Sequence, residues 1–198
     1  MANLNAPFGF SPVIYGTSGN NNQQQRVYYI PSTDTSAYYI GDTVKTIDGS
    51  DANGTPAIAK CASGDTPRGV VTSILINNPN NPSIQGTNLD LTTTSVPASK
   101  SQAYYMLIND DPDQVYCIQG DSTTFVTTDM NKNATYTVAA PSLSNQMSAT
   151  VLTGTTTSST AVLKIVGIEP IPGNNLGPYV RFFVLFNNSE MLRPSAGI

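Results

Sequence analysis

The chain has 198 residues, enough for one domain with a real core or a compact domain carrying arms, and 11% of them are charged against roughly a quarter in an average globular protein. A formal net charge of -4 leaves no basic stripe to neutralise phosphates, which argues against nucleic acid as a partner. No apolar run approaches the roughly 18 residues of a membrane span, and Met1–Asn5 has neither the cationic start nor the apolar block of a secretory leader, so synthesis in a cytoplasm with no membrane partner is expected.

Three parts are expected: an N-terminal arm and mobile loop (1–25), a β-rich core (26–190) and a tail (191–198). In the arm, Pro7 and Pro12 push Ala6 and Ser11 toward extended backbone and rule out a continuous helix. Leu4, Phe8, Phe10, Val13, Ile14 and Tyr15 nevertheless require burial. Either the arm folds along its own domain or it is laid onto a neighbouring subunit. Thr17–Gln25, with three asparagines and three glutamines in succession, has nothing to pack and reads as a loop.

Arg26–Ile30 and Ala37–Ile40 share a Tyr-Tyr-Ile core. Adjacent tyrosines on a strand point to opposite faces, so one of each pair lines a sheet edge or meets solvent, a partner or a ligand. Thr43–Ile47 and Ala57–Cys61 flank Asp48-Gly49 and Asn53-Gly54, turn dipeptides that predict a long-looped hairpin. Gly69–Ile76 is the run richest in β-branched residues and ends at a proline-broken Asn77–Pro82 loop. Ser83–Lys100 is polar, either an edge strand or an excursion.

The chain is organised around Tyr104–Asp121. Two apolar runs, Tyr104–Ile108 and Val115–Ile118, are held apart by Asn109-Asp110-Asp111-Pro112-Asp113, a strand, a tight acidic turn and a strand. Both faces of the first run are apolar, so both require cover. Ser122–Asn133 permits a helical turn or two, with Phe125, Val126 and Met130 inward, against the low propensity of its threonines. Tyr136–Val138, Ala149–Leu152 and Ala161–Ile168 read as further strands. After the Pro170–Pro178 turn, Tyr179–Phe186 places Val180, Phe182, Val184 and Phe186 on one face. Nine or ten short strands without helical periodicity predict an all-β fold: a compact barrel or a two-sheet, jelly-roll-like sandwich, with an extended arm. Its uncharged edges lack gatekeepers and are expected to be covered by a partner.

The chemistry of catalysis is sparse. The sequence has no histidine, which removes the usual general base and the commonest metal ligand. Asp110, Asp111 and Asp113 form the sole acidic cluster, read as turn capping ahead of a structural cation or catalysis; the calcium-loop pattern of a sixth-position glycine and twelfth-position glutamate is missing. Cys61 and Cys117 lie in apolar runs and read as buried thiols. No enzyme activity, metal or cofactor is expected.

The order of features, from Asn3-Leu4-Asn5-Ala6-Pro7-Phe8-Gly9-Phe10-Ser11-Pro12 through Tyr39-Ile40-Gly41-Asp42-Thr43-Val44, Gly69-Val70-Val71, Asn109-Asp110-Asp111-Pro112 with Val115–Gln119, to a closing strand after Gly173-Asn174-Asn175, resembles the capsid cement, or head decoration, proteins of tailed double-stranded DNA bacteriophages. The resemblance implies a mostly β structural protein on the outer surface of the virion, homo-oligomeric as dimer or trimer, that bridges copies of the major capsid protein. Leu4, Pro7, Phe8, Phe10, Val13 and Tyr15 are then the candidate capsid contacts. The long Asn/Gln and Thr/Ser loops depart from the pattern. They leave open a carbohydrate-binding or tail-adhesin role, with Tyr28, Tyr39 or Tyr105 stacking on a host surface glycan.

Overall fold

The computed structural model describes residues 3–13, 24–75, 94–139, 141 and 146–191. The expectations for Ile14, Tyr15, most of the Asn/Gln loop, Ile76, the Asn77–Pro82 loop, Ser83 to residue 93 and residues 192–198 lie outside them. Among the described residues the chain forms thirteen strands and a single 3-10 turn, Thr127–Asp129. The all-β expectation holds, in a sandwich-like arrangement of antiparallel sheets.

The strands are β1 (Ser11–Pro12), β2 (Gln25–Ile30), β3 (Tyr38–Tyr39), β4 (Thr43–Ser50), β5 (Pro56–Lys60), β6 (Gly69–Leu75), β7 (Ser95–Val96), β8 (Tyr104–Asn109), β9 (Tyr116–Gln119), β10 (Asn133–Thr137), β11 (Val151–Thr156), β12 (Leu163–Ile168) and β13 (Arg181–Phe186). Six of them make one sheet in the order β1-β9-β13-β12-β10-β11, and β3 pairs with β7 in a short ribbon. Five more pair as β2-β5-β4-β6-β8, and β8 returns to β2, so this sheet curls into a ring. The ring's seam is thin: β2 and β5 run parallel and are registered at one pair, Tyr29 with Ala57. A seam one pair wide curls the sheet without giving it the continuous ladder of a full barrel.

Each unit has its own core. The six-stranded sheet covers a cluster rich in aromatic rings, including Phe10, Tyr116, Phe125, Tyr136, Phe182 and Phe186. The ring encloses Tyr28, Ile30, Tyr38, Val44, Ile58, Met106 and Ile108 among others. Strand alternation joins the two, because Val70 of β6 points into the first cluster and its neighbour Val71 into the second. The expected face of the last strand is correct: Val180, Phe182, Val184 and Phe186 are all buried.

The central stretch is organised differently from a local strand-turn-strand unit. β8 pairs with β2 and β6 in the ring, whereas β9 pairs with β1 and β13 in the other sheet. The acidic turn is therefore a crossover from one core to the other. The cover that both faces of Tyr104–Ile108 require comes in unequal measure, with Met106 and Ile108 fully enclosed and Tyr105 and Leu107 half-buried.

The edges of the six-stranded sheet are blunted by shape. β1 is two residues long and one of them is Pro12, which has no N–H to offer a neighbour. In β11 the register slips opposite Ala134 and Thr135, and the extra residue, Gly154, sits at φ 56°, a bulge that bends the edge away from straight pairing. Both features discourage straight edge-to-edge pairing where charges are few, and Leu152 of β11 is in addition bridged to Gly120.

Candidate functional site

The arm was the sequence's strongest candidate for partner contact, and its described part, residues 3–13, is held against the chain's own body. Proline at positions 7 and 12 keeps it extended, and Gly9 turns it at φ 72° so that it passes Gly41. A side chain at Gly9 would place its Cβ 2.6 Å from the Gly41 carbonyl oxygen, so the crossing requires glycine on steric grounds as well. Just beyond, the Phe10 N–H donates to that same carbonyl at 2.9 Å. Ser11 and Pro12 then pair with Cys117 and Tyr116, and the Val13 N–H donates to Val115 O at 3.0 Å.

Side chains hold the arm to the body at three further points, two of them from the body and one from the arm itself. Gln119 donates to Leu4 O at 2.7 Å and accepts from the Ala6 N–H at 3.0 Å. Gln114 donates to Val13 O at 2.9 Å. Near the start, Asn3 donates to the carbonyls of Asn175 and Pro178 at 2.7 and 2.8 Å and accepts from the Asn175 N–H.

These bonds sort the six candidate contact residues. Phe10 is 2% exposed, with its ring centroid 5.4 Å from Phe186, 5.5 Å from Tyr136 and 6.0 Å from Tyr116. It is a core residue of the chain's own fold, where enclosure by three rings leaves it almost no surface to offer. Burial of such a side chain is worth roughly 1.5–3 kcal/mol, with about 0.5–1.5 kcal/mol more for each well-placed aromatic pair. Pro7 and Val13 are half-buried, and Phe8 lies under the Arg181 guanidinium at 5.2 Å. Tyr15 is outside the described residues. Leu4 alone among the described candidates projects, at 77% exposure.

Leu4 does not stand by itself. It shares a shallow groove of about 250 Å³ with Ile171, Pro172, Tyr179 and Arg181, and Ile171 is 40% exposed. The loop that carries Ile171 is fixed by Asn174, which donates to the carbonyls of Glu169 and Arg181 at 2.8 and 3.0 Å and accepts from the Arg181 N–H at 2.9 Å. Tyr179 holds a left-handed conformation at φ 60°, a costly state for a residue with a side chain and one that persists where surrounding structure dictates it. The result is a mixed surface on which Leu4 and Ile171 stand among Asn3, Asn174, an aromatic ring and a guanidinium, the last two being residue types that concentrate binding energy in protein interfaces. Ile171 was legible only as a turn residue and Tyr179 only as the start of the last strand, which begins instead at Arg181; an isoleucine between two prolines, with no strand to bury it, is the signal that could have marked the place.

The acidic cluster divides. Asp111 accepts from the Asp113 N–H at 2.9 Å, turn capping as expected. Asp110 is 3% exposed, accepts from the Tyr28 hydroxyl at 2.8 Å and lies 3.6 and 3.7 Å from Arg26 and Arg68, so it is a buried ionic anchor of the crossover. Burial and the Asp110 carboxylate push the Tyr28 phenol up to about 12. No group of three His, Cys, Asp or Glu residues suited to hold a metal occurs among the described residues. Cys61 and Cys117 are free and buried, and burial raises each thiol to about 12, which keeps both protonated and poor as nucleophiles.

The tyrosines considered for sugar stacking are engaged internally. Tyr28 is 2% exposed and so is not outward. Lys60 Nζ lies over the Tyr39 ring at 5.5 Å, and Tyr105 packs against Tyr29 while donating to Asp51 at 3.0 Å. Comparison with protein-family models, with curated proteins and with solved structures finds no match to this chain.

Proposed function

We propose that this chain is a structural virion protein that binds the outer surface of a bacteriophage capsid and stabilises it by bridging neighbouring major capsid protein subunits. The observation that carries the reading is the surface around Leu4 and Ile171, two exposed aliphatic side chains held by a fixed loop and a gripped arm on an otherwise weakly charged protein. The order of sequence features described above supports the same assignment. The contact is accordingly narrower than the whole arm: its leading end docks, while the section through Phe10 completes the fold.

Such a contact need be only modest at each copy. A homo-oligomer that touches several shell subunits gains effective concentration from each additional foot without any new chemistry. The test is decoration of heads assembled without this protein. Leu4→Asp with Ile171→Asp is expected to lower occupancy at least about tenfold, the equivalent of 1.4 kcal/mol, while leaving the melting temperature within a degree or two, since both side chains are exposed in the free protein. Full occupancy by the folded double variant, or failure of the wild-type chain to bind heads, would overturn the reading.

A further inference from the structure

We infer that residues 3–13 are an exchangeable strap, and that the seat they occupy takes the same segment from a second copy, so that crowded copies link by straps passed between them. This inference is independent of capsid binding and is tested without heads.

Three observations carry it. First, the strap contributes the edge strand β1, so its departure breaks one ladder and leaves every other strand pairing in place. Addition of an extended segment to a sheet edge is also a recurrent way for one chain to recognise another. Second, the seat keeps its shape when emptied, because its gripping side chains are anchored by the body. Gln119 donates to Tyr179 O as well as to the strap, at 3.2 Å; Gln114 donates to Val115 O at 2.7 Å and accepts from Asn109 at 3.2 Å. A pre-shaped seat loses little order on refilling.

Third, an empty seat uncovers Tyr116, Tyr136 and Phe186 where Phe10 had been, so it is strongly driven to take up a strap from whichever chain supplies one. The bonds are the same in either case. What differs is the tether: residues 14–23, ten in number, span at most about 33–36 Å, and the choice between own and neighbouring seat depends on how close the neighbour is held. Exchange of an identical element between copies is a low-cost route to association, since it creates no new interface chemistry.

The register supplies the test. Ser11 is the direct partner of Cys117, so Ser11→Cys sets two thiols opposite each other in the docked strap. On mild oxidation of a concentrated sample the expected result is a reductant-sensitive ladder of covalent oligomers, lost when Cys117→Ser is added. A disulfide closed only within monomers at every concentration overturns the inference; where no disulfide forms, as the buried and protonated Cys117 thiol allows, the refolding measurement that follows decides. Should the cysteine variant fold poorly, the unaltered chain is unfolded and refolded across a range of concentrations and its mass measured by light scattering. Oligomers that increase with concentration and vanish in Phe10→Ala are expected; monomers throughout overturn the proposal.

Discussion

In the six-stranded sheet the interior is aromatic and is finished by a piece of chain from far away in sequence, whereas the curled sheet, apolar inside, is flanked by buried ion pairs. Lys100, its side chain fully enclosed, donates to the carboxylate and carbonyl of Asp34 at 2.9 and 2.8 Å and to Ser36 O at 2.6 Å. Asp42 is fully buried and accepts from Lys60 at 2.7 Å and from the Tyr39 N–H at 2.9 Å. Tyr38 joins the two pairs, donating to Asp34 and accepting from the Lys60 N–H. The difference teaches that a weakly charged protein can still place its few ions where they matter. Rings resist by volume, ion pairs by partner identity, and each fails in its own way.

The largest effect is expected from Phe10→Ala, about 4 kcal/mol by denaturant titration, the middle of the range for an enclosed phenylalanine. Its signature is spatial: hydrogen exchange should accelerate first in β9 and β13, with β8 protected longer. Next comes Lys100→Met, about 3 kcal/mol, which strands Asp34 but leaves it two donors, the Tyr38 hydroxyl and the Ser36 N–H. Adding Asp34→Asn should restore part of that loss. No comparable rescue by a partner change is expected for Phe10, and that contrast separates the two cores. Gly9→Ala, at a left-handed residue crowded by the Gly41 carbonyl, should cost about 2 kcal/mol and loosen the arm while the ring is unchanged.

The strands were largely legible in the sequence, whereas the contrast between two cores was not, for identifiable reasons. Strand positions and the inward face of Tyr179–Phe186 follow from alternation, which is local. The destination of Phe10 is not local: an apolar residue in a Pro/Gly arm announces that it needs burial without saying in whose core. The acidic turn announced a break but not that its flanking strands part company, because pairing is set by partners distant in the chain. Asp110 read as one more turn residue because Arg26 and Arg68, which define its role, lie far away in the chain, on β2 and just before β6.

The smallest expected effect is at the surface. Lys45 holds Asp65 at 2.7 Å, and that bond, with the Ala62 N–H, keeps the Asp65 carboxyl below its ordinary value; Asp129 is lowered likewise, first by the Val126 N–H. Depressed carboxyls stabilise fully above the ordinary carboxylate range, and the contribution is lost as pH falls through their folded values. Lys45→Ala should therefore cost under about 1 kcal/mol at pH 7 by denaturant titration, and progressively less as pH falls through the lowered folded value of the Asp65 carboxyl.

The bulge at Gly154 and the proline in β1 bear on how the protein behaves in bulk. Where copies are kept from sticking by like charge, added salt weakens the repulsion and precipitation follows. Here the guard is geometric, and ions in the medium cannot screen a bend in the backbone. Colloidal solubility should thus be nearly indifferent to ionic strength. A straightened margin, in which a deletion at position 154 removes the kink, should turn soluble material into fibrous aggregate at any salt concentration.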